Sequence, residues 1–264
     1  MIELRQEKIL KLLNENGYME VTDLASKLNV SVATIRRDLD FLEKEGKCLR
    51  KHGGGMINGK GFMFEVPYVE KEQSYIEEKK KIAEIAVNFI HPGDALILDS
   101  GSTVFQMAYF LQNRDDLTVV TNDIKTAFFL ASVSKISLYV PGGEVLPGVF
   151  TVSGTKSVEW FEHLHVNTLF LGADAILSDG RIMNYNESET CAKQAMVNAA
   201  DKVIVMATSD KFTRNGFREV LNLRSVDVLI TDDKISSDTL DWLRSFDIEI
   251  KIAHSGSGEK GQTK

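Results

Sequence analysis

The stretch SVATIRRDLDFLEKEGKCLRKHGGG, residues 31–55, decides the fold of the N-terminal part of this chain. It begins with Ser31, whose side chain can cap a helix. The apolar residues Ile35, Leu39 and Leu42 follow at offsets of four and three, which predicts one buried stripe along a helix. Residues 48–51 then predict a short strand, and the glycines that follow predict a turn before a second strand.

Two further helices are predicted before this one. Apolar spacing places the first over about residues 3–14 and the second over about residues 21–28, with Asn29 and Val30 as a tight connection. A helix, a short turn and a second helix form the arrangement that inserts one helix into the major groove of DNA. Residues 1–57 are therefore predicted to be a winged helix-turn-helix domain.

Hydrogen-bonding and basic side chains occupy the polar face of the third helix and the wing. Hydroxyl and methyl groups at the start of the helix can contact base edges, and the arginines can bind guanine or phosphate. The alternatives are solvated arginines on a surface helix and a flexible basic linker in place of the wing. The predicted DNA-binding residues are Ser31, Ala33, Thr34, Arg36, Arg37, Arg50, Lys51 and His52.

The charge distribution supports a DNA-binding head on a larger sensor. The chain of 264 residues has a net charge of -7, which by itself argues against a nucleic-acid binder. Residues 1–60, however, hold 11 Lys and Arg against 9 Asp and Glu, while the remainder holds 20 against 29. A slightly basic head on an acidic body fits a regulator and excludes a structural nucleoid protein.

Cysteine and histidine usage indicates neither a disulfide framework nor a metal site. Cys48 and Cys191 are far apart, and His91, His163 and His165 are expected to be solvated or satisfied rather than ligands. No apolar run approaches the roughly 18–20 residues that span a bilayer, and no leader is evident. We expect a cytoplasmic protein without cofactor, metal or membrane contact.

The N-terminal motifs resemble the signature of the DeoR family of bacterial transcriptional regulators. They are the run VSVATIRRDL at residues 30–39, then Leu42, Glu43 and Gly46, then Arg50 and the triplet at 52–54. The resemblance implies a winged helix-turn-helix repressor whose remaining chain is a sugar-phosphate-responsive domain. Within the family, residues 89–107 are most similar to the repressors of sugar-alcohol (glucitol) operons.

Residues 75–252 alternate predicted helices and short apolar strands. Repeated strand–helix units without tight hairpins predict an α/β domain with a mostly parallel sheet covered by helices. Residues 58–74 hold glycine, proline and three aromatics without a clear period, and we interpret them as a linker. Residues 253–264 are rich in Gly, Ser and Lys and are predicted to be a disordered tail.

Polar residues follow the predicted strands of this domain. Ligands bind at the carboxyl ends of parallel strands, and the loop at residues 99–103, DSGST, has the small and hydroxyl residues of an anion cradle. The alternative is a tight strand-to-helix turn. Glu189 and Lys193 share a helix face, although spacing alone favours a surface ion pair, and Lys211 alone resembles a surface lysine.

These segments also resemble the DeoR sensor domain, which is similar to the ribose-5-phosphate isomerase fold. The resemblance implies a pocket for a phosphorylated sugar or sugar alcohol, although Ala175 and Thr208 stand where the family commonly has Gly and Asp. The predicted effector-binding residues are Asp99, Ser100, Gly101, Ser102, Thr103, Thr121, Asn122, Gly142, Gly143, Asp174, Glu189, Lys193 and Lys211.

Two classes of function compete at this stage. The favoured one is a DNA-binding repressor of a carbohydrate operon that binds operator DNA as a dimer or tetramer and is controlled by a phosphorylated sugar. The alternative is a sugar-phosphate isomerase with an appended head, in which Asp99, Asp174 or Glu189 would be the base. The head itself and the lack of a second acid/base partner favour the non-enzymatic interpretation.

Overall fold

A computed structural model describes residues 2–16, 18–45, 47–51, 53–57, 68–132 and 136–254. It divides the chain into two compact units, Met1–Glu65 and Val66–Lys264, here called the head and the body. The predicted tail from residue 255 onward lies outside the described residues, as does most of the predicted linker.

The head is a three-helix unit with a small sheet. Its elements are α1 Ile2–Asn16, β1 Tyr18–Glu20, α2 Val21–Leu28, α3 Val32–Lys44, β2 Cys48–Lys51 and β3 Gly54–Ile57. Their apolar faces meet in one core, and its buried residues are Ile9, Leu13, Met19, Val21, Leu24, Ala25, Ile35, Leu39, Leu42 and Cys48. The predicted winged helix-turn-helix architecture is confirmed.

Local signals account for the helix–turn–helix geometry. Ser31 is the N-cap of α3, and its hydroxyl oxygen accepts a hydrogen bond of 3.2 Å from the amide of Thr34. The connection turns at Asn29, which adopts a left-handed conformation with φ of 52°. Asparagine tolerates this conformation better than most residues, so the short link between α2 and α3 costs little.

The wing packs tightly against α3. Its strands form an antiparallel sheet in the order β1, β3, β2. A Cβ atom on Gly55 would lie 2.7 Å from Cδ2 of Leu39, so any other residue there would require the Leu39 side chain to move. Strand β1 was not predicted, because a strand of three residues is specified by its pairing with β3 rather than by its own pattern.

The body has a parallel sheet at its centre. Its seven strands lie in the order β15, β14, β12, β9, β4, β5, β6, and every neighbouring pair is parallel. Their bounds are β4 Ala95–Leu98, β5 Thr118–Thr121, β6 Ser137–Tyr139, β9 Val166–Gly172, β12 Ala200–Met206, β14 Val228–Asp232 and β15 Glu249–Ala253. The predicted α/β fold is confirmed.

Two smaller antiparallel sheets flank this one and were not predicted. The first pairs β7 Glu144–Val145 with β8 Val152–Ser153. The second joins β10 Ala175–Ile176, β11 Arg181–Asn184 and β13 Arg218–Asn222. Strands of two to five residues carry little periodicity, which explains their absence from the prediction.

Helices cover both faces of the large sheet. They are α4 Tyr68–Gln73, α5 Ile76–Ala86, α6 Gln106–Leu111, α7 Ile124–Ala131, α8 Thr155–Glu162, α9 Glu187–Asn198 and α10 Ser237–Leu243. Alternate residues of β4 enter different cores: Ile97 packs with the buried face of α9, whereas Leu96 and Leu98 pack with that of α5. The sequence predicted that this helix begins near Thr103, whereas α6 begins at Gln106.

Candidate DNA interface and effector site

The polar face of α3 is open to solvent. Ser31, Ala33, Arg36 and Arg37 are exposed, and Thr34 is half-buried. Within the described side chains, neither arginine has a carboxylate partner. Both guanidinium groups can therefore contact a phosphate or a guanine without first breaking an ion pair.

The acidic neighbour of these arginines is directed inward. Asp38 is only 4% exposed and accepts a hydrogen bond of 2.6 Å from Nε of Arg5 on α1. Gln6 donates to the same carboxylate over 3.4 Å. The fold thus separates the charges of residues 36–38: the carboxylate of Asp38 is buried inside the head, and Arg36 and Arg37 are on its surface.

The wing contributes less clearly to the basic surface. The guanidinium of Arg50 forms an ion pair with Asp40, and its amide donates to Glu43 over 2.8 Å. This residue is thus held against α3, and DNA would compete with Asp40 for it. The side chain of Lys51 and the whole of His52 lie outside the described residues.

In the body, polar residues gather where parallel strands end. Asp99 follows β4, Asn122 follows β5, Asp174 follows β9 and Lys211 follows β12, and all four are buried. Because these strands are parallel and adjacent in the sheet, their carboxyl ends lie along one edge. Ser100, Ser102, Thr103 and Thr121, which were also predicted, are buried as well.

A buried ion pair lies at the centre of this edge. Nζ of Lys193 on α9 contacts Oδ2 of Asp99, and the side chains are 7% and 0% exposed. The amide of Gly172 donates to the same oxygen over 2.9 Å. Burial raises the pKa of Asp99 above its ordinary value even though Lys193 opposes this effect. Lys193 is therefore an interior residue rather than half of a surface pair.

Glu189 is also interior. Its Oε1 accepts a hydrogen bond of 2.8 Å from the hydroxyl of Thr151, and its Oε2 accepts one of 3.4 Å from Nδ2 of the Asn184 side chain. Burial opposes the charged form of Lys193, but Asp99 and then Glu189 outweigh that effect, so the pKa of Lys193 lies above its ordinary value. Asn186 caps α9 through its side chain and so sets the position of both residues on the helix.

Asp174 is held by lysines. Its Oδ1 accepts a hydrogen bond of 2.9 Å from Nζ of Lys71 on α4. Burial raises the pKa of Asp174, but Lys71 and Lys211 outweigh that effect, so its pKa lies below the ordinary value. This carboxylate stays charged inside the body because cations surround it.

Lys211 has a different balance of charges. Its Nζ lies 3.7 Å from Oδ2 of Asp210, which Arg214 also contacts at 2.5 Å. Burial is the largest cause that lowers the pKa of Lys211 to about 8, and Arg214 and Lys71 contribute to the lowering. A buried lysine with a reduced pKa is typical of a site that binds an anion or carries out chemistry.

In the glycine-containing loops that were predicted to bind an anion, one backbone amide already has a partner within the body. The amide of Gly101 donates to Asp123 over 3.3 Å, and Asp123 also caps α7. Gly101 has a φ of 137°, which accounts for glycine there. Gly142 and Gly143 are exposed, and a Cβ on Gly143 would lie 2.4 Å from the carbonyl oxygen of Ser153, so its glycine has a packing cause.

Several residues of this edge were not singled out in the sequence. Asp123 and Thr151 contact residues more than twenty positions away, so only the folded topology brings them to this edge. Asp210 directly precedes the predicted Lys211 and pairs with Arg214 four positions further on. Lys71 lies in a stretch interpreted as linker. The one available signal was Asp123, because an Asp directly before a predicted helix is a typical N-cap.

Two buried acceptor atoms stand out at the edge. Oδ1 of Asp99 and Oδ1 of Asn122 have no hydrogen-bond partner among the described residues. Buried acceptors are normally satisfied, and a ligand that carries several hydroxyl groups would donate to both.

Other site types are not found in the described parts of the chain. No group of three or more His, Cys, Asp or Glu side chains there is placed to hold a metal ion. Nor is any helix of those segments long and apolar enough to cross a membrane.

A winged helix-turn-helix head and an α/β body with a buried charged site define a ligand-responsive DNA-binding transcriptional regulator. Comparison with known proteins then identifies the family. Residues 5–60 match the DeoR-like helix-turn-helix domain, and residues 74–233 match the DeoR C terminal sensor domain. The chain belongs to the DeoR family.

Relatives similar over nearly their whole length are named as regulators. The uncharacterized HTH-type transcriptional regulator YulB of Bacillus subtilis (strain 168) is 32% identical over 99% of this chain and 100% of its own. The HTH-type transcriptional repressor GlcR of the same strain is 31% identical over 97% and 98%. The glycerol-3-phosphate regulon repressor of Escherichia coli (strain K12) is 26% identical over 94% and 98%. These relatives support regulation over the enzymatic alternative.

Solved structures of ribose 5-phosphate isomerases align with about half of this chain. The enzyme A from Neisseria gonorrhoeae aligns with a TM-score of 0.38 and 17% identity over 52% of this chain and 53% of that one. The enzyme from Methanocaldococcus jannaschii aligns with the same score and identity over 51% and 53%. Scores of this size carry no argument about activity.

Proposed function

We propose that this protein represses a carbohydrate or sugar-alcohol operon and leaves its operator when a phosphorylated sugar binds to the body. The buried edge of the sheet is the observation that carries the effector class. It combines cations, Lys193 and Lys211, with unpartnered acceptors on Asp99 and Asn122. A phosphorylated polyol has a phosphate anion that these cations would bind and hydroxyl groups that would donate to these acceptors.

The names of the relatives favour the same proposal. One relative is named a repressor of the glycerol-3-phosphate regulon, and others are named transcriptional repressors. Glycerol 3-phosphate is itself a phosphorylated polyol. The effector of this chain belongs, in this proposal, to the same chemical class, and the predicted effector-binding residues together with Asp123 and Thr151 form its site.

Operator binding is assigned to the exposed face of α3 with help from the wing. A chain with one such head reads a half-site, so we propose at least a dimer, whose heads address half-sites about 34–36 Å apart or multiples of that distance. Exposed large apolar side chains on α6, α7 and β6 favour self-association, and Phe128 is the most exposed of them at 83%. The others include Tyr109, Phe110 and Tyr139. The protein is placed in the cytoplasm, where operator and sugar phosphates meet.

The test is a gel-shift titration of the full chain on the DNA upstream of its own gene. Phosphorylated sugars and sugar alcohols form one arm, and the matching free sugars form the other. We expect retention of the DNA by the protein alone and release by at least one phosphorylated compound. Release by a free sugar with failure of every phosphorylated compound would contradict the proposal.

A further inference from the structure

The loop at residues 146–151 joins β7 to β8 and contacts the first helix of the body. The amide of Tyr68 on α4 donates to the carbonyl oxygen of Gly148 over 3.3 Å. Tyr68 is 2% exposed, and its ring meets that of Phe150 edge-on, with ring centroids 5.4 Å apart. This loop therefore forms part of the surface on which α4 lies.

The same loop also contacts residues of the proposed effector site. The hydroxyl of Thr151 donates to Oε1 of Glu189 over 2.8 Å. The amide of Val152, the next residue, donates to the carbonyl oxygen of Asn122 over 2.7 Å. Because Phe150 and Thr151 are adjacent in the chain, a single peptide bond separates the contact with α4 from the contact with Glu189.

The backbone of Phe150 has a left-handed conformation, with a φ of 59°. A bulky residue rarely adopts this conformation, which persists only where the surroundings hold it. Its carbonyl oxygen accepts a hydrogen bond of 2.9 Å from the amide of Ile124. Nζ of Lys125 lies 5.8 Å from the centroid of its ring and 4.9 Å from that of Tyr68. Loss of a neighbouring contact would therefore favour a return of Phe150 to extended backbone.

A ligand at the strand ends competes with this loop for Glu189. A hydroxyl of a bound polyol that donates to Oε1 of Glu189 takes the place of the Thr151 hydroxyl. Among the described residues, that hydroxyl then retains a contact of 3.4 Å with the carbonyl oxygen of Val149. Such a ligand favours the conformation in which Thr151 has left Glu189, and this difference in affinity is what a shift between two conformations requires.

We propose that Phe150 and Thr151 are positioning residues that transmit occupancy of the effector site to α4. In the ligand-free conformation, the bond from Thr151 to Glu189 holds Phe150 against Tyr68 and keeps α4 on the body. When an effector takes Glu189, the ring of Phe150 leaves Tyr68 and α4 is released. Helix α4 is the first described element of the body, so its release loosens the anchor of the chain that leads to the head. No covalent bond is made or broken, and the inference rests on the proposed function.

The competing explanation is that the loop only packs against α4 and has no part in the response. Thr151→Val removes the hydroxyl that contacts Glu189 but keeps the shape of the side chain, and Thr151→Ser restores the hydroxyl. Thr190→Val is the matched control, because Thr190 is equally buried and its hydroxyl donates to the carbonyl oxygen of Asn186 at the start of α9. Phe150→Leu removes the ring but keeps a bulky apolar side chain.

The first measurement is amide hydrogen exchange of the full-length variants without DNA or ligand. Thr151→Val is expected to raise the exchange rate of residues 68–73 about tenfold, because a buried hydrogen bond to a charged group is lost. Exchange of β4, in the interior of the sheet, should stay unchanged, which separates release of α4 from a general loss of stability. Phe150→Leu should have the same effect on α4, Thr151→Ser should restore the wild-type rate, and Thr190→Val should leave it unchanged.

The second measurement is the affinity of the same variants for the DNA upstream of the gene, by fluorescence anisotropy. Thr151→Val and Phe150→Leu should weaken binding about fivefold, because most molecules would then have the conformation that an effector favours. Both substitutions lie in the body, so they do not alter the DNA-binding surface itself. Thr151→Ser should restore the affinity, and Thr190→Val should leave it unchanged.

The outcomes separate this inference from the proposed function. Unchanged α4 exchange in Thr151→Val would overturn the inference, because the loop would not hold the helix. Faster exchange with unchanged DNA affinity would also overturn it, since release of α4 would not reach the head. Equal effects of Thr151→Val and Thr190→Val would reduce both to a loss of stability around α9 and overturn it as well. If no phosphorylated compound releases the DNA from wild type, the proposed function fails, and the exchange rates still decide whether Thr151 holds α4.

Discussion

In the head, Arg36 and Arg37 are exposed on α3, whereas in the body Lys193 and Lys211 are buried at the edge of the parallel sheet. The exposed pair retains its hydration until DNA arrives, so it costs the fold little. The buried pair has lost water and depends on carboxylates, Asp99 for Lys193 and Asp210 with Asp174 for Lys211. Substitutions in the head should therefore change binding, and substitutions in the body should change stability as well.

The largest expected effect is the removal of one partner of the buried pair in the body. Asp99→Ala leaves the ammonium of Lys193 buried without its carboxylate, and we expect a loss of about 3–5 kcal/mol in the free energy of unfolding. Urea denaturation followed by circular dichroism measures it. The double variant Asp99→Ala with Lys193→Met should recover most of that loss. A loss below about 1 kcal/mol would show that the body tolerates the isolated charge.

The next effect tests the head. Arg37→Ala should weaken operator binding by about 1–3 kcal/mol, because an exposed arginine of the recognition helix is lost. Fluorescence anisotropy with labelled operator measures it. Lys11→Ala, an exposed lysine of α1, is the matched control and should change little. Unfolding of Arg37→Ala should match wild type within about 0.5 kcal/mol, and unchanged operator affinity would contradict the assignment.

The sequence predicted the local features of the head more completely than the site in the body. Helix α2 and strand β2 have the predicted bounds, and Ser31 caps α3 as expected, because caps, periodicity and turns are local. The body's parallel sheet followed from repeated strand–helix units. Its site was predicted only in outline, since Asp99 and Lys193 are 94 positions apart and only the topology pairs them.

The surroundings of individual site residues were also not predictable from spacing in the sequence. Glu189 and Lys193 have the spacing of a surface ion pair, yet the fold buries both and gives them other partners. Gly143 resembles a ligand loop in sequence, while its close contact with Ser153 depends on a pairing of strands that the pattern does not show. Lys71 carried no signal in the sequence, because its partner Asp174 is 103 positions away.

The smallest expected effect concerns pH. The pKa of Lys211 lies at about 8, below the usual value for lysine, and its charged neighbours are Asp210, Arg214, Asp174 and Lys71. Lys211 is charged below that pH and loses its proton as pH rises through it, so binding of a phosphate dianion should weaken. We expect a decrease in affinity of about tenfold between about pH 7.5 and 9.5.

Calorimetric titration with the phosphorylated compound that releases operator DNA measures this pH profile. Lys211→Met should bind more weakly than wild type below about pH 8, approach wild type above it, and so show a flatter profile. Any slope that remains in this variant would be assigned to Lys79, which has a similar pKa. A profile of wild type that rises with pH would contradict a cationic Lys211 in the site.

The place of α4 has a consequence for exchanging heads between regulators. If the body is cut where its family match begins, at residue 74, the fragment loses Tyr68 and Lys71, one buried against Phe150 and the other paired with Asp174. A chimera joined there would contain a body without α4 and the contacts that α4 makes. A junction placed before Tyr68 keeps both contacts, so the head is better exchanged upstream of the family boundary at residue 74.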